Sequence, residues 1–429
     1  MKSSQSLFTF YLSLFTMDLI IRNGRSDRTN EPIEVGIEAG LITAVAPPHS
    51  LPAANQEIDA QGRMVSPAFI ESHFHLENAL LWDGLINQSG TLEEAIEIYA
   101  KVKHDLTVED IVRRSGYVVE TAVANGTLWL RSHVDIDHIA KLSILKGVAA
   151  ARDAYRHLIE IQLIAFPQLG LAQNPEAVEM MWQAMENGCD LVGGMPHGEK
   201  TMEDAARHIE IAFEIAQKYD VDVDMHIDET DDPYWQSLEL LAEKTIETGW
   251  QGRVTAGHCC AMSAWDDATA ARIIDKVKAA NIHIITNAPI NSMLEGRHSG
   301  YPKPRGIARV KELLEAGVNV VCGQDDLQNM FYPFGKMDPL EVAVITAHLA
   351  HLGAPHEIEA AFDMPRYNAA RMWGLQNYGV AVGAAANLVI LDADSAVSAL
   401  RRQPANRTVI RNGRVLTERK VETVWRDRN

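Results

Sequence analysis

Eight short apolar runs, each closing on a polar or charged residue, are spaced through the middle of this 429-residue chain. They are "MVSPAFIESHFH", "GTLWLRSHVDI", "IEIQLIAFPQ", "DLVGGMPH", "VDVDMHIDE", "RVTAGHC", "HIITNAP" and "NVVCGQDD". Between them lie amphipathic stretches of helical period, such as "SLELLAEKTIETG" and "GIARVKELLEAG", several closed by glycine as helix ends are. Strand–helix alternation predicts a parallel sheet, and eight units predict an α/β fold, a (β/α)8 TIM-like barrel. A doubly wound open sheet is the competing architecture. It lacks support because no G-x-G-x-x-G follows the first run.

The chain ends follow a different pattern. "MDLIIRNGR" from Met17 reads as a strand before an Asn-Gly turn, and "VGIEAGLITAVAP" as strand, glycine turn, strand. "ANLVILDAD" and "TVIRNGRVL" repeat the pattern near the C-terminus. Neither end holds enough strands for a stable sheet alone, so the two are expected to pair into one small β-sandwich domain. The division expected is residues 17–68 with 381–429 for that domain and 69–380 for the barrel. Residues 1–16 form an N-terminal extension. Its "LFTFYLSLF" is too short to span a bilayer, and no clear small-x-small cleavage site follows. A mis-assigned start, with Met17 as the true beginning, is preferred over a signal peptide.

In a barrel the C-terminal strand ends converge on one face, where active sites sit. The polar residues fall at those ends: His73 and His75 on the first strand, His133 and Asp135 on the second, Gln168 on the third and His197 after the fourth. His226 and Glu229 follow on the fifth, His258 on the sixth, Asn287 on the seventh, and Asp325 and Asp326 on the eighth. Each alone reads more simply as a satisfied polar group, but their shared placement outweighs that. His73 and His75, two residues apart in an extended strand, project to one face. With His226 and Asp325 they make a three-imidazole, one-carboxylate donor set suited to zinc or ferrous iron. The fourth run carries no lysine that could bridge two ions, so one divalent metal is expected. Glu229, three residues beyond a candidate ligand, is placed to move protons near a metal-activated water. Its competing reading is a carboxylate at a helix start.

Composition narrows the partners. With 39 basic and 58 acidic residues the net charge is −19, which argues against nucleic acid and anionic membranes. The four cysteines include no C-x-x-C pair, which fits buried thiols in a reducing, cytoplasmic compartment.

"FIESHFHLEN", "NQSGTLEEAIE", "LIAFPQLG", "MHIDETDD", "TAGHCCAM", "NAPINSMLEGRHSGYPKPRGIARVKELLEAGVNV" and "GQDDLQNMFYPFG" together resemble the cytosine deaminase family of the amidohydrolase superfamily, from about Met17 to about Leu416. The resemblance implies a barrel with a small β-sandwich, one divalent metal (Fe2+ or Zn2+), and hydrolytic deamination of an aminopyrimidine-type ring, cytosine to uracil first among them. It implies metal ligation by His73, His75, His226 and Asp325, with proton shuttling by Glu229. It implies that His258 orients the attacking water, that Gln168 reads the ring's amide edge and that Asp326 contacts the departing amino group. Phe331 stands where the family packs a tryptophan over the ring. Gln324 replaces a histidine beside Asp325, Glu77 replaces an aspartate, and "NALLWDG" differs. These changes at the pocket rim leave isocytosine, creatinine or an aminotriazine open as substrates. The kept carboxylate pair and His-x-x-Glu favour release of a ring amine over cleavage of N-alkyl groups from hydroxylated triazines. The alternative of another class is a catalytically silent scaffold on the same fold. Barrel relatives often associate, which makes a homo-oligomer the expected assembly.

Overall fold

The computed structural model describes residues 17–426; the extension expected over residues 1–16 lies outside the described residues. Five strands precede the barrel: β1 (Met17–Ser26), β2 (Pro32–Glu38), β3 (Leu41–Ala46), β4 (Ala54–Asp59) and β5 (Met64–Pro67). The barrel strands are β6 (Phe69–Phe74), β7 (Thr127–Asp135), β8 (Glu160–Phe166), β9 (Leu191–Val192), β10 (Val223–Ile227), β11 (Val254–His258), β12 (His283–Thr286) and β13 (Val320–Cys322). The chain then returns to the first sheet through β14 (Leu388–Leu391), β15 (Arg407–Arg411) and β16 (Arg414–Arg419).

β6 to β13 pair in sequence order and in parallel, as the alternation predicts. The barrel closes between β6 and the residues just past β13. The Asp325 amide donates to His73 O (2.8 Å), and the His75 amide donates to Asp325 O (3.1 Å). Closure therefore runs through three of the proposed metal ligands. Glu71 adds to the seam by accepting the backbone N–H groups of His73 (3.1 Å) and Gln324 (2.9 Å). The helices between strands carry the expected signals. Thr201 accepts from Asp204 N (3.1 Å) to start the helix Met202–Tyr219, and left-handed Gly249 ends Ser237–Thr248.

The first apolar run does not form one strand. It breaks at Ala68, with β5 in the terminal sheet and β6 in the barrel. The fourth run shrinks to two paired residues. A Cβ on Gly193 would sit 2.7 Å from Ala165 O, and one on Gly194 would sit 2.9 Å from His208 Nε2, so the chain needs glycine there.

Both ends build one eight-stranded sheet. It divides at β1, whose first half pairs with β4 and whose last residues pair with β5, letting the sheet wrap an aliphatic core of its own. The two Asn-Gly pairs differ. Asn412-Gly413 makes the expected tight hairpin turn between β15 and β16, with φ of 47° and 74°. Asn23-Gly24 instead forms a bulge inside β1, because β5 is there to pair with the residues that follow. Among the described residues no helix is long and apolar enough to cross a membrane.

Candidate metal centre and ring pocket

The structure brings His73, His75, His226 and Asp325 together at the C-terminal mouth of the barrel, all buried. His226 Nε2 lies 3.2 Å from the Nε2 atoms of both His73 and His75. Asp325 Oδ1 lies 3.4 Å from those same two nitrogens. Burial and neighbouring imidazoles hold His73 and His226 well below the usual histidine range, so their lone pairs are free. Three converging imidazoles, two of them uncharged, beside a carboxylate can hold a divalent cation, and the residues fit that group. Phe166 stacks on the His226 ring at 4.2 Å and fixes its plane. Glu77 Oε1 lies 3.5 Å from His75 Nδ1, the carboxylate–imidazole contact that orients a ligand ring. Burial alone would lower His75. The carboxylates of Glu77, Asp326 and Asp325 outweigh it and raise the imidazole to about 10, a proton that a bound cation would displace.

Local sequence explains the convergence. Gly257 precedes His258, and a Cβ there would meet His73 Cε1 at 3.1 Å; Gly323 leaves room for His73 Cβ in the same way (2.9 Å). Asp228, His258, Cys259 and Asp325 have φ of 49°, 69°, 54° and 69°. Such left-handed positions cost about 1–3 kcal/mol each in non-glycine residues and cluster where side chains must be aimed.

Glu229 is buried. Burial first, then the charge of Asp325, push its carboxyl well above the usual range, outweighing the opposite pull of His75. The helix-start role is taken by its neighbour: Asp228 accepts the backbone N–H groups of Ser237 and Leu238 (both 3.0 Å) at the start of Ser237–Thr248. Glu229 Oε1 instead lies 3.1 Å from His258 Nδ1, with the Asn291 amide 2.9 Å from the same nitrogen. The other ring nitrogen, Nε2, lies 3.3 Å from the Asn287 amide and faces Asp325 Oδ2 at 3.7 Å, so amides of two residues and two carboxylates hold the ring in place.

A pocket sits over these groups, lined by Gln168, Asp326 and Phe331 together with His75, His226 and Glu229. Gln168 Oε1 is buried without a protein partner, free for a ligand. Asp326 is raised to about 8 by burial and by Asp325, and Asn329 Nδ2 donates to it in a close contact. Phe331 is held by its own backbone, whose N–H donates to Asn329 Oδ1 (2.9 Å), and by the edge of Tyr99 at 6.2 Å.

Of the other strand-end residues, His133 packs on His73 at 4.2 Å below the ligands, and neither ring nitrogen has a hydrogen-bond partner. With Asp224 it forms a second group of donors, but Arg131 already neutralises that carboxylate at 3.0 Å. Asp135 turns away to the buried Lys103 (2.6 Å), which also contacts Asp137 and pins the segment before the helix Val108–Ala124. Asn291, Asn329, Glu71 and Lys103 carry no role in the sequence reading. Asn291 and Lys103 act on residues 33 and 32 positions away, and Glu71 and Asn329 join near neighbours to residues about 250 positions distant, Gln324 and Asn78, so no local pattern marks them.

With the geometry in hand, comparison with known proteins is specific. A solved structure of 5-methylcytosine deaminase from Klebsiella pneumoniae, liganded with 5-fluorocytosine, superposes with a TM-score of 0.91 at 35% identity, covering 95% of this chain and 99% of that one. The N-isopropylammelide isopropyl amidohydrolase of Pseudomonas sp. (strain ADP) is 30% identical over 94% of this chain and 98% of its own length. A pterin deaminase of Rhizobium rhizogenes is 28% identical over 95% and 93%. Residues 135–427 match the amidohydrolase family directly. Barrel, terminal sheet, converging donors and these matches agree: the chain belongs to the amidohydrolase family.

Proposed function

We propose that the protein is a metal-dependent hydrolase of carbon–nitrogen bonds that deaminates an aminopyrimidine-type ring, cytosine being the leading substrate, to an oxo ring and ammonia. The observation that carries this is the buried Glu229 carboxyl, which lies beside four converging donors and lines the pocket over them. His73, His75, His226 and Asp325 would hold one divalent ion, iron or zinc. When bound, it supplies Lewis acidity and lowers the pKa of a water towards neutrality.

The remaining steps belong to the chain's own side chains. Gln168 offers its free Oε1 to a ring N–H and sets the ring's orientation. Glu229 gives its proton to the ring nitrogen beside the amine-bearing carbon, which makes that carbon electrophilic. Water adds there, and Asp325 accepts its proton while His258 Nε2 orients the group. Asp326 holds the amino group as its carbon becomes tetrahedral. The proton on Asp325 passes to that nitrogen, ammonia leaves with the C–N bonding pair, and the hydroxyl proton returns to Glu229 as the oxo group forms. Phe331 and Phe166 keep bulk water out.

The similarity to an isopropyl amidohydrolase supports a second reading, release of an alkylamine from a substituted triazine. The test is an amine-release screen on metal-loaded protein over cytosine, isocytosine, creatinine, aminotriazines and N-alkyl triazines. The metal is quantified in the same sample. Ammonia from the pyrimidines is the expected result. Alkylamine release alone would favour the second reading, and a metal-free, inert protein would leave only a scaffold. We assign residues 17–68 and 381–429 to the small domain and 69–380 to the barrel. The buried, unpaired thiols suit the cytoplasm, and light scattering tests the homo-oligomer.

A further inference from the structure

A second, larger chamber adjoins the ring pocket. It holds about 330 Å3 and shares Leu92, Met195 and Glu229 with the pocket, so the two adjoin at these side chains. Asp231, Glu93 and Glu295 line it together with Arg297 and His298. Asp231 Oδ2 is already engaged by Gly296 N (3.0 Å), but among the described residues Glu295 forms no ion pair. Burial and the charges of Glu229, Asp231 and Glu93 raise Glu295 to about 9.

An acidic cluster alone would say little. His197 adds an independent observation. It is 8% exposed and lines the chamber; one ring nitrogen meets the His226 backbone, and the other has no hydrogen-bond partner. With its N–H turned to that carbonyl, the free nitrogen is an acceptor, and a buried acceptor left unbonded is costly unless a ligand completes it. Trp235 also lines the chamber. The metal and ring chemistry uses none of Asp231, His197, Trp235 or Glu295.

Building on the deaminase reading, we propose that the chamber is an arm site. The preferred substrate is an aminated ring carrying a short hydrophilic arm that donates hydrogen bonds, through hydroxyl or ammonium groups, to His197 and Glu295. The arm passes the Glu229 carboxyl while the ring stays over the metal ligands.

The experiment compares cytosine with cytosines bearing hydroxymethyl, aminomethyl, ethyl or carboxymethyl arms on metal-loaded protein. Ammonia release gives kcat/KM, and calorimetry of the corresponding oxo rings gives affinity without turnover. Hydroxymethyl or aminomethyl arms should improve both by about tenfold over the ethyl arm, the gain of one to two well-made hydrogen bonds. The hydroxyl and ammonium arms separate the two sources of donor. Glu295→Leu and His197→Leu should each erase most of that gain while leaving cytosine turnover within about twofold. Equal affinity for all arms, or preference for the carboxymethyl arm, overturns the proposal. If no ring releases ammonia but donor-armed oxo rings still bind about tenfold tighter, the chamber stands and the deaminase reading fails.

Discussion

Leu19, Ile21, Val35, Ile37, Leu388 and Ile390 fill the terminal sheet's core with side chains that carry no polar atom. The mouth of the barrel buries His73, His75, His226, Glu229, His258, Asp325 and Asp326 within a few ångströms of one another. The contrast is sharpest between two buried carboxylates. Burial works against Glu34 in the terminal sheet, but backbone N–H groups and Arg22 at 2.9 Å overcome it and hold the group below its usual range. At Glu229 burial and the charge of Asp325 outweigh the pull of His75, and the group is driven the other way. One region spends its burial on cohesion. The other accepts desolvated charge, which destabilises a fold, and gains groups tuned for proton transfer.

The largest test of that contrast is Glu229→Gln. It should lower kcat by about three orders of magnitude while elemental analysis finds the metal content unchanged. Full activity would remove Glu229 from the chemistry. In the other region, Ile390→Ala should cost about 2–5 kcal/mol of stability in urea titrations, with kcat/KM at 25 °C intact. A large fall in kcat/KM there would mean that the terminal sheet shapes the site.

A third test uses pH. Burial raises Glu71 from 4.5 to about 8, so the folded chain binds this proton more tightly than the unfolded one. The stability it contributes is complete below about pH 4.5 and fades as pH rises through 8. With chelator present, denaturation midpoints should therefore fall between pH 6 and pH 8, and Glu71→Gln should flatten that slope. An unchanged slope would assign the proton to other groups, such as Asp224, which is raised to about 7. The smallest effect is expected at the surface. Lys311→Ala breaks an ion pair with Glu357 (2.6 Å) whose lysine is 48% exposed, and should change stability by no more than about 1 kcal/mol.

Much of this was readable along the chain. Parallel strand order follows from alternation, and the strand-end position of His73, His75, His226 and Asp325 was visible because strands terminate where apolar runs do. Asn23-Gly24 misled, since the same dipeptide serves a turn or a bulge and only the available partner strand decides. Asn291, seven-residue helix and all, looks like an ordinary helical polar residue. Its value comes from lying 2.9 Å from His258, 33 positions earlier. Lys103 reads as a solvated charge until Asp135 and Asp137 close on it.

The amino-acid order by itself determined which residue types stand at the ends of which strands, because hydrophobic periodicity and glycine placement are local properties. It thereby determined the barrel, the pairing of the two termini and the chemistry of the donor set. Tertiary structure alone decided the upward shift of the Glu229 carboxyl, the amides that flank His258 and the chamber beside the ring pocket. Desolvation, hydrogen-bond partners and enclosed space arise from side chains that are distant in sequence and meet only when the barrel closes.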